Sequence, residues 1–293
     1  MKPTNDDQDA GASEVPATSA ISQQALYRLD LAYMGKFYHG FQSQPSGKTV
    51  QDHLEQALSK FCRHPVRVTA ASRTDSGVHA EQQVVTFKSA GDIDLYRIVK
   101  ALNALLPADI RVMCAAQADA SFHPIFNSTG KVYRYWIWRS PGETPFINPF
   151  AWSLSVSLDI QAMRSGSRHL IGTHDFTSFC AVDSSAKSKI RRLREVQLIE
   201  RGPLLEIWCL GDGFLKQMVR NIVGCLVAVG KGKIQSSDVK GILNSMDRSV
   251  APATAPAEGL CLVRIFYGDD HSVPSLLDQA RSGYNVSLFN GWM

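Results

Sequence analysis

The chain has 293 residues, of which 44% are hydrophobic, 20% charged and 9% aromatic. That balance belongs to a folded globular protein and excludes collagen, a coiled coil and wholesale disorder, and the length suits about two domains. The formal charge of +4 is unevenly spread: the first 24 residues set Asp6, Asp7, Asp9 and Glu14 against only Lys2, and the remainder keeps 30 basic and 23 acidic groups, or +7, which favours an anionic partner.

Residues 1–24 are rich in Ser, Thr, Ala, Asp and Pro and lack periodic apolar positions, the pattern of a disordered arm. Leu26 to Tyr33 reads as a strand. Thr49 then opens a helix, with Asp52 three residues on as its capping-box partner and Val50, Leu54, Leu58 and Phe61 on its apolar face. Strands follow at 66–70 and 84–87, a helix at 95–106 stopped by Pro107, and a strand at 110–114. The order β-α-β-β-α-β is the ferredoxin-like signature. The second half repeats it, with a strand at 132–138, a helix at 160–171 closed by Gly172, and strands at 193–199 and 204–210. A helix at 214–229 ended by Gly230, an extra helix at 237–246 and a strand at 260–266 complete it.

The fold class expected is therefore α+β: two ferredoxin-like (RRM-like) modules, 25–120 and 121–268, with antiparallel sheets side by side. Residues 269–293, where Pro, Gly and Ser mix with Leu276, Leu277, Phe289 and Trp292, read as a tail packed on this body. The six cysteines at 62, 114, 180, 209, 225 and 261 form no C-x-x-C pair and several lie in apolar runs, so buried, reduced thiols are expected. No secretory leader is apparent, and the longest apolar stretch, 222–229, is far shorter than the ~20 residues of a membrane span. A cytoplasmic protein without membrane attachment is the expectation.

Four clusters could carry chemistry. Ser72-Arg73-Thr74-Asp75-Ser76-Gly77-Val78-His79 is a polar loop between two strands, whose carboxylate beside a guanidinium is either a held anion or simply the acceptor of an Asx-turn. In 131–138, strand alternation puts Tyr133, Tyr135 and Ile137 on one face and Val132, Arg134, Trp136 and Trp138 on the other, which fits either base stacking or ordinary core. From 214 on, Leu215, Met218, Ile222 and Leu226 mark a buried stripe while Lys216 and Arg220 share another face. Lys187, Lys189, Arg191, Arg192 and Arg194 place five cations within eight residues, a stretch suited to phosphates or to solvent. No histidine or cysteine spacing matches a zinc site, and no P-loop, dinucleotide fingerprint or nucleophile elbow occurs.

Taken together and in order, Leu31 to Gln44, Thr49-Val50-Gln51, Arg73-Thr74-Asp75-Ser76-Gly77-Val78-His79-Ala80, Tyr133-Arg134-Tyr135, His174 to Phe179, Met218 to Gly224 and Thr254 to Leu260 resemble the motifs of the tRNA pseudouridine synthase A family, almost from end to end. The resemblance implies the pseudouridine synthase fold, an isomerase acting without cofactor or metal, a homodimer, and uridines 38, 39 and 40 of the tRNA anticodon stem-loop as substrate. It implies that Asp75 is the catalytic aspartate, Tyr133 the tyrosine packed against the target uracil and Arg220 the partner of Asp75. Arg73 and the 187–194 cations become candidates for RNA phosphates. Two positions depart from the family pattern: Met34 stands where an Asp is usual, and Ile125 where an Arg is usual. The competing readings are an RNA-binding module without catalysis, and a metal hydrolase using Asp75, His79, His174 and Asp175.

Overall fold

The computed structural model describes residues 24–140 and 145–268. The expected arm and tail lie outside the described residues, except Gln24, which opens the first strand. The elements run β1 (Gln24–Tyr33), α1 (Val50–Cys62), β2 (Val68–Ala70), β3 (His79–Ala90), α2 (Leu95–Leu105), β4 (Ile110–Ala118), β5 (Ser128–Trp138), β6 (Trp152–Ser153), α3 (Ile160–Arg168), β7 (Gly172–Asp175), β8 (Ile190–Arg201), β9 (Leu204–Gly211), α4 (Met218–Gly230), α5 (Asp238–Ser245) and β10 (Leu260–Tyr267).

The strands form one sheet in the order β4-β1-β3-β10-β5-β9-β8-β7, with β2 on β3 and β6 on β5. Pairing is antiparallel except at β3–β10 and β5–β6. The α+β expectation holds, and the strands of the two halves lie side by side within this one sheet: β10, the last strand, inserts between β3 of the first half and β5 of the second. Alternation does the sorting. Tyr27, Leu29, Leu31 and Tyr33 of β1 and Tyr133, Tyr135 and Ile137 of β5 join the main core with the apolar stripes of α1, α2, α3 and α4. Val132 faces the other way, into a smaller cluster with Trp208, Leu210, Val263 and Phe266.

Several boundaries differ from the expected ones for identifiable reasons. The helix expected over 160–171 ends at Arg168, and Gly172, rather than closing it, opens β7 at a φ of +124°. The helix expected from Phe214 starts at Met218, because Gln217 adopts a left-handed conformation (φ +61°) and Lys216 and Gln217 form a turn closed by Met218 N–H donating to the Leu215 carbonyl. β3 begins at His79, five residues before the expected strand. Among the cysteines, Cys114 is exposed and Cys62 half-buried, while the other four are buried and all six are free.

α4 runs through the interior. Every residue in it is buried except Arg220, so it is a helix apolar on all sides, of the kind found inside a core. At Gly224 a Cβ would lie 2.0 Å from the Ala253 carbonyl oxygen. Only glycine lets the 251–259 segment lie against the helix.

The capping box at α1 is present in full: Thr49 Oγ1 accepts from Asp52 N–H at 3.2 Å, and the Asp52 carboxylate accepts from Thr49 N–H at 3.3 Å. Ser237, at the start of α5, makes no such bond. Thr49→Ala should therefore cost about 1 kcal/mol and Ser237→Ala close to nothing, as read by urea unfolding of the two variants beside the parent.

Candidate active site

The loop between β2 and β3 is held from three sides. Gln83, fully buried on β3, accepts from Ser72 N–H at 3.1 Å and donates to the Ser72 carbonyl at 2.7 Å. Tyr33 shares a hydrogen bond of 2.8 Å with Thr74 Oγ1, and Ser76 Oγ donates to the Tyr38 carbonyl at 3.1 Å. Val78 N–H donates to the Asp75 carbonyl at 3.1 Å, closing a turn that needs Gly77 at a φ of +82°. With its neighbours fixed, Asp75 has little freedom to turn away from the cleft it lines.

That cleft has a volume of about 810 Å³ and is lined from both halves of the chain: by 70–76, Val78 and Gln42, and by Lys131, Tyr133, 183–186, Arg191 and 214–220. Across it, Arg220 Nη1 reaches Asp75 Oδ2 at 3.3 Å, with both side chains largely buried. The guanidinium is itself anchored, its Nε donating to the Ala255 carbonyl at 2.8 Å. Ala255 belongs to a segment braced by Arg248, which donates to Asn221 Oδ1 at 3.1 Å and Thr254 Oγ1 at 2.9 Å, while Asn221 donates to the Phe179 carbonyl.

Burial is the largest influence on Asp75. It raises the carboxyl above its ordinary range, and Arg220, followed by Lys216, pulls it back without cancelling the effect. The sequence-level expectation that Arg220 favours the anion holds for the sign of its own contribution, but the net direction is upward. A single contact at 3.3 Å does not make up for the lost hydration.

Tyr133 is buried on β5 beside this pair. Its hydroxyl shares a hydrogen bond of 2.8 Å with Ser72 Oγ, and its ring meets Phe214 edge to face at 5.0 Å. Burial pushes the phenol up to about 12, so it stays protonated at neutral pH.

The model of a family described as tRNA pseudouridine synthase matches residues 31–127 and 167–268. Relatives carrying the name tRNA pseudouridine synthase A match over most of both chains. The protein from Solidesulfovibrio magneticus is 44% identical over 255 residues, covering 83% of this chain and 92% of its own. That from Bacillus subtilis is 42% identical over 239 residues (81% and 97%). That from Geobacillus kaustophilus is 41% identical over 249 residues (85% and 96%). The chain belongs to the tRNA pseudouridine synthase A family.

The structure thus brings together Asp75, Tyr133 and Arg220, the three residues on which the family resemblance converged. It divides the basic residues. Arg191 lines the cleft and Arg73 stands exposed at its edge. Lys187, Lys189 and Arg192 lie outside the lining, and Arg194 is engaged by Asp212 and by the Thr129 carbonyl at 2.9 Å. Arg134 and Trp136 face away from the cleft, where Arg134 pairs with Glu81 at 2.8 Å and stacks 4.0 Å over the Trp136 ring, a structural use of that face. Ile125, where the resemblance implies an arginine, lines the cleft and puts an apolar group there. His174 and Asp175 serve local turns: the histidine ring bonds the Ile171 carbonyl, and Asp175 accepts from Thr177 N–H at 2.8 Å. Among the described residues no three His, Cys, Asp or Glu side chains gather as a metal site.

Lys131 stands at the head of the 131–138 cluster but has no role of its own in the sequence reading. It is buried in the cleft wall, on the same strand face as Tyr133, and its Nζ donates to the Ala71 carbonyl at 2.7 Å. A lone lysine before an aromatic strand carries no local signal.

Arg220→Met should raise the Asp75 carboxyl further, and Lys216→Met should raise it by less, since Arg220 both pairs and hydrogen-bonds with it. Carbon-13 NMR titration of labelled aspartate checks the order, and an unmoved Asp75 in Arg220→Met would show that the pairing is electrostatically idle.

Proposed function

We propose that the chain isomerises uridine to pseudouridine at positions 38, 39 and 40 of the tRNA anticodon stem-loop, with Asp75 as the reacting carboxylate. The observation that carries the residue assignment is the meeting of Asp75 with Arg220 from the opposite half, inside a cleft that also holds Tyr133. The two modules, 25–120 and 121–268, act on this reading as the two walls that grip the RNA arm.

The reaction breaks the N1–C1′ bond, turns the uracil and joins C5 to C1′; C5 gives up its proton and N1 ends with one. Redox state is unchanged and nothing is transferred to a second molecule. The uridine must leave its stack to expose C1′, at a cost of a few kcal/mol. Stacking on the Tyr133 ring returns about 1–3 kcal/mol of that. As nucleophile or as base, Asp75 works in its anionic form. Burial makes that anion more basic than a solvated aspartate, and Arg220 keeps it available.

The Tyr133 hydroxyl, raised to about 12 and engaged by Ser72, is better suited to holding the ring in place than to removing a proton. Arg73 and Arg191 are the proposed contacts to backbone phosphates at the cleft, with Lys187, Lys189, Arg192 and Arg194 as proposed contacts of the RNA arm beyond it. A cytoplasmic homodimer completes the reading; no helix among the described residues is long and apolar enough to cross a membrane.

The deciding experiment maps pseudouridine by carbodiimide adduct and primer extension on tRNA incubated with the protein. The expected result is adduct stops at positions 38–40 that vanish with Asp75→Asn while tRNA binding persists; full turnover by that variant would overturn the assignment. Tyr133→Phe keeps the stack and loses one neutral hydrogen bond, so single-turnover rates should fall by about tenfold at most. Tyr133→Ala loses the stack as well and should fall further. Sedimentation of the purified chain tests the dimer.

A further inference from the structure

The cleft contains five Lys and Arg side chains (Arg73, Lys131, Arg191, Lys216 and Arg220), His39, and two acidic ones, Asp75 and Asp183. Both acids are taken. Asp75 faces Arg220, and Asp183 accepts from Lys216 at 2.6 Å on the rim. Among the described residues, Lys131 and Arg191 have no carboxylate within ion-pairing distance, although both stand in the same wall and Lys131 feels the charge of Arg191.

Each is fixed in place by backbone carbonyls. Lys131 Nζ donates to Ala71 at 2.7 Å, and Arg191 Nη1 donates to Ser188 at 3.0 Å and to Ile190 at 2.7 Å. Those bonds use one of three N–H donors on Lys131 and leave several on Arg191 unspent. A buried ammonium with a cation for a neighbour is costly to maintain in the free protein, which shows in Lys131 being brought down to about 8. An anion bound between the two would remove that cost.

We propose that Lys131 and Arg191 form a phosphate subsite inside the cleft, holding a backbone phosphate of the RNA strand whose uridine enters beside Asp75. The inference rests on the tRNA reading above and adds to it a specific anchor. Lys131 is two residues from Tyr133 on the same strand face, and Ala71, to which it is tied, immediately precedes Ser72, which bonds the Tyr133 hydroxyl. Phosphate and base are therefore positioned from one strand and one loop.

The test measures binding of an anticodon-arm RNA by fluorescence anisotropy across a salt series, for the parent chain, Lys131→Met, Lys131→Arg and Arg191→Met. Lys131→Met should raise Kd about tenfold or more and flatten the slope of log K against log salt by about 0.7 to 0.9, while Lys131→Arg keeps both near the parent. A methylphosphonate scan around the target uridine should find one position where the neutral linkage weakens the parent and adds no further loss in Lys131→Met.

Loss of turnover in Lys131→Met with an unchanged salt slope and full sensitivity at every scanned position would overturn the subsite and leave Lys131 a brace for the loop. Competition by inorganic phosphate without any methylphosphonate effect would overturn it too, by making the site one for free phosphate. Failure of the isomerase reading looks different: the parent would make no pseudouridine, whatever the salt slopes.

Discussion

Where β3 meets β10, two rungs of parallel pairing join the halves of the sheet: His79 with Cys261 and Ala80 with Leu262. The same two residues of β10 pair on their other side with Arg134 and Tyr133 of β5. This three-strand rung fixes the cleft. His79 ends the loop that carries Asp75, Cys261 follows the segment that carries Ala255, and Tyr133 stands on the rung itself. Two rungs of backbone bonding, at about 1 kcal/mol net per bond, are a slender join, and side chains reinforce it on both faces. Leu262 and Ala80 are buried among the main core, and on the far face Arg134 of β5 reaches over β10 to pair with Glu81 of β3. Slippage by one residue would turn Tyr133 away from the cleft and Arg134 into it.

The helix opposite follows the same logic. α4 is buried on all sides, so its axis and rotation are set by packing, and Arg220 is presented to the cleft because every other position is committed to the core. Its guanidinium is then aimed by the Ala255 carbonyl. That carbonyl is held in turn by the close approach of the 251–259 segment to Gly224 and by the Arg248–Asn221–Thr254 bonds. Of these only Arg220 faces Asp75. The others act through the backbone, and their contribution is the angle at which the cation meets the carboxylate.

Much of this was legible in the residues. α1 could be read from its capping box and apolar stripe, β5 from its alternation, and Asp75, Tyr133 and Arg220 from motifs in a recognisable order. What escaped was structure without a periodic signal. Phe214 and Leu215 carry the apolar spacing of a helix, yet they stand outside it in the cleft wall, and a turn at Lys216 and Gln217, with Gln217 left-handed, separates them from Met218. β7, four residues long and opened by a glycine, exists because β8 offers an edge to pair with, something no local pattern records. The run 187–194 reads as a uniform stripe of charge, whereas strand alternation and the Asp212 contact give its members different surroundings. The net direction of the Asp75 shift escaped for the same reason: Arg220 can be inferred from a motif, but solvent exclusion is a property of the assembled cleft.

The charge distribution in that cleft matches the two things the proposed substrate presents, a neutral base and an anionic backbone. A carboxylate that must react should not be surrounded by cations, since each one lowers its basicity; an anchor for phosphate needs uncompensated cations close by. The cleft keeps these demands apart. Asp75 is coupled to Arg220 and Lys216, the second of which is itself drawn toward Asp183, so burial still outweighs them. Lys131 is coupled to Arg191 instead, and is tied to Ala71 at the start of the loop rather than to its carboxylate. Concentrating the cations around Asp75 would yield a firmer ion pair and a poorer base. On the proposed reading, their separation along one wall would let charge tighten binding of the strand without deactivating the Asp75 carboxylate.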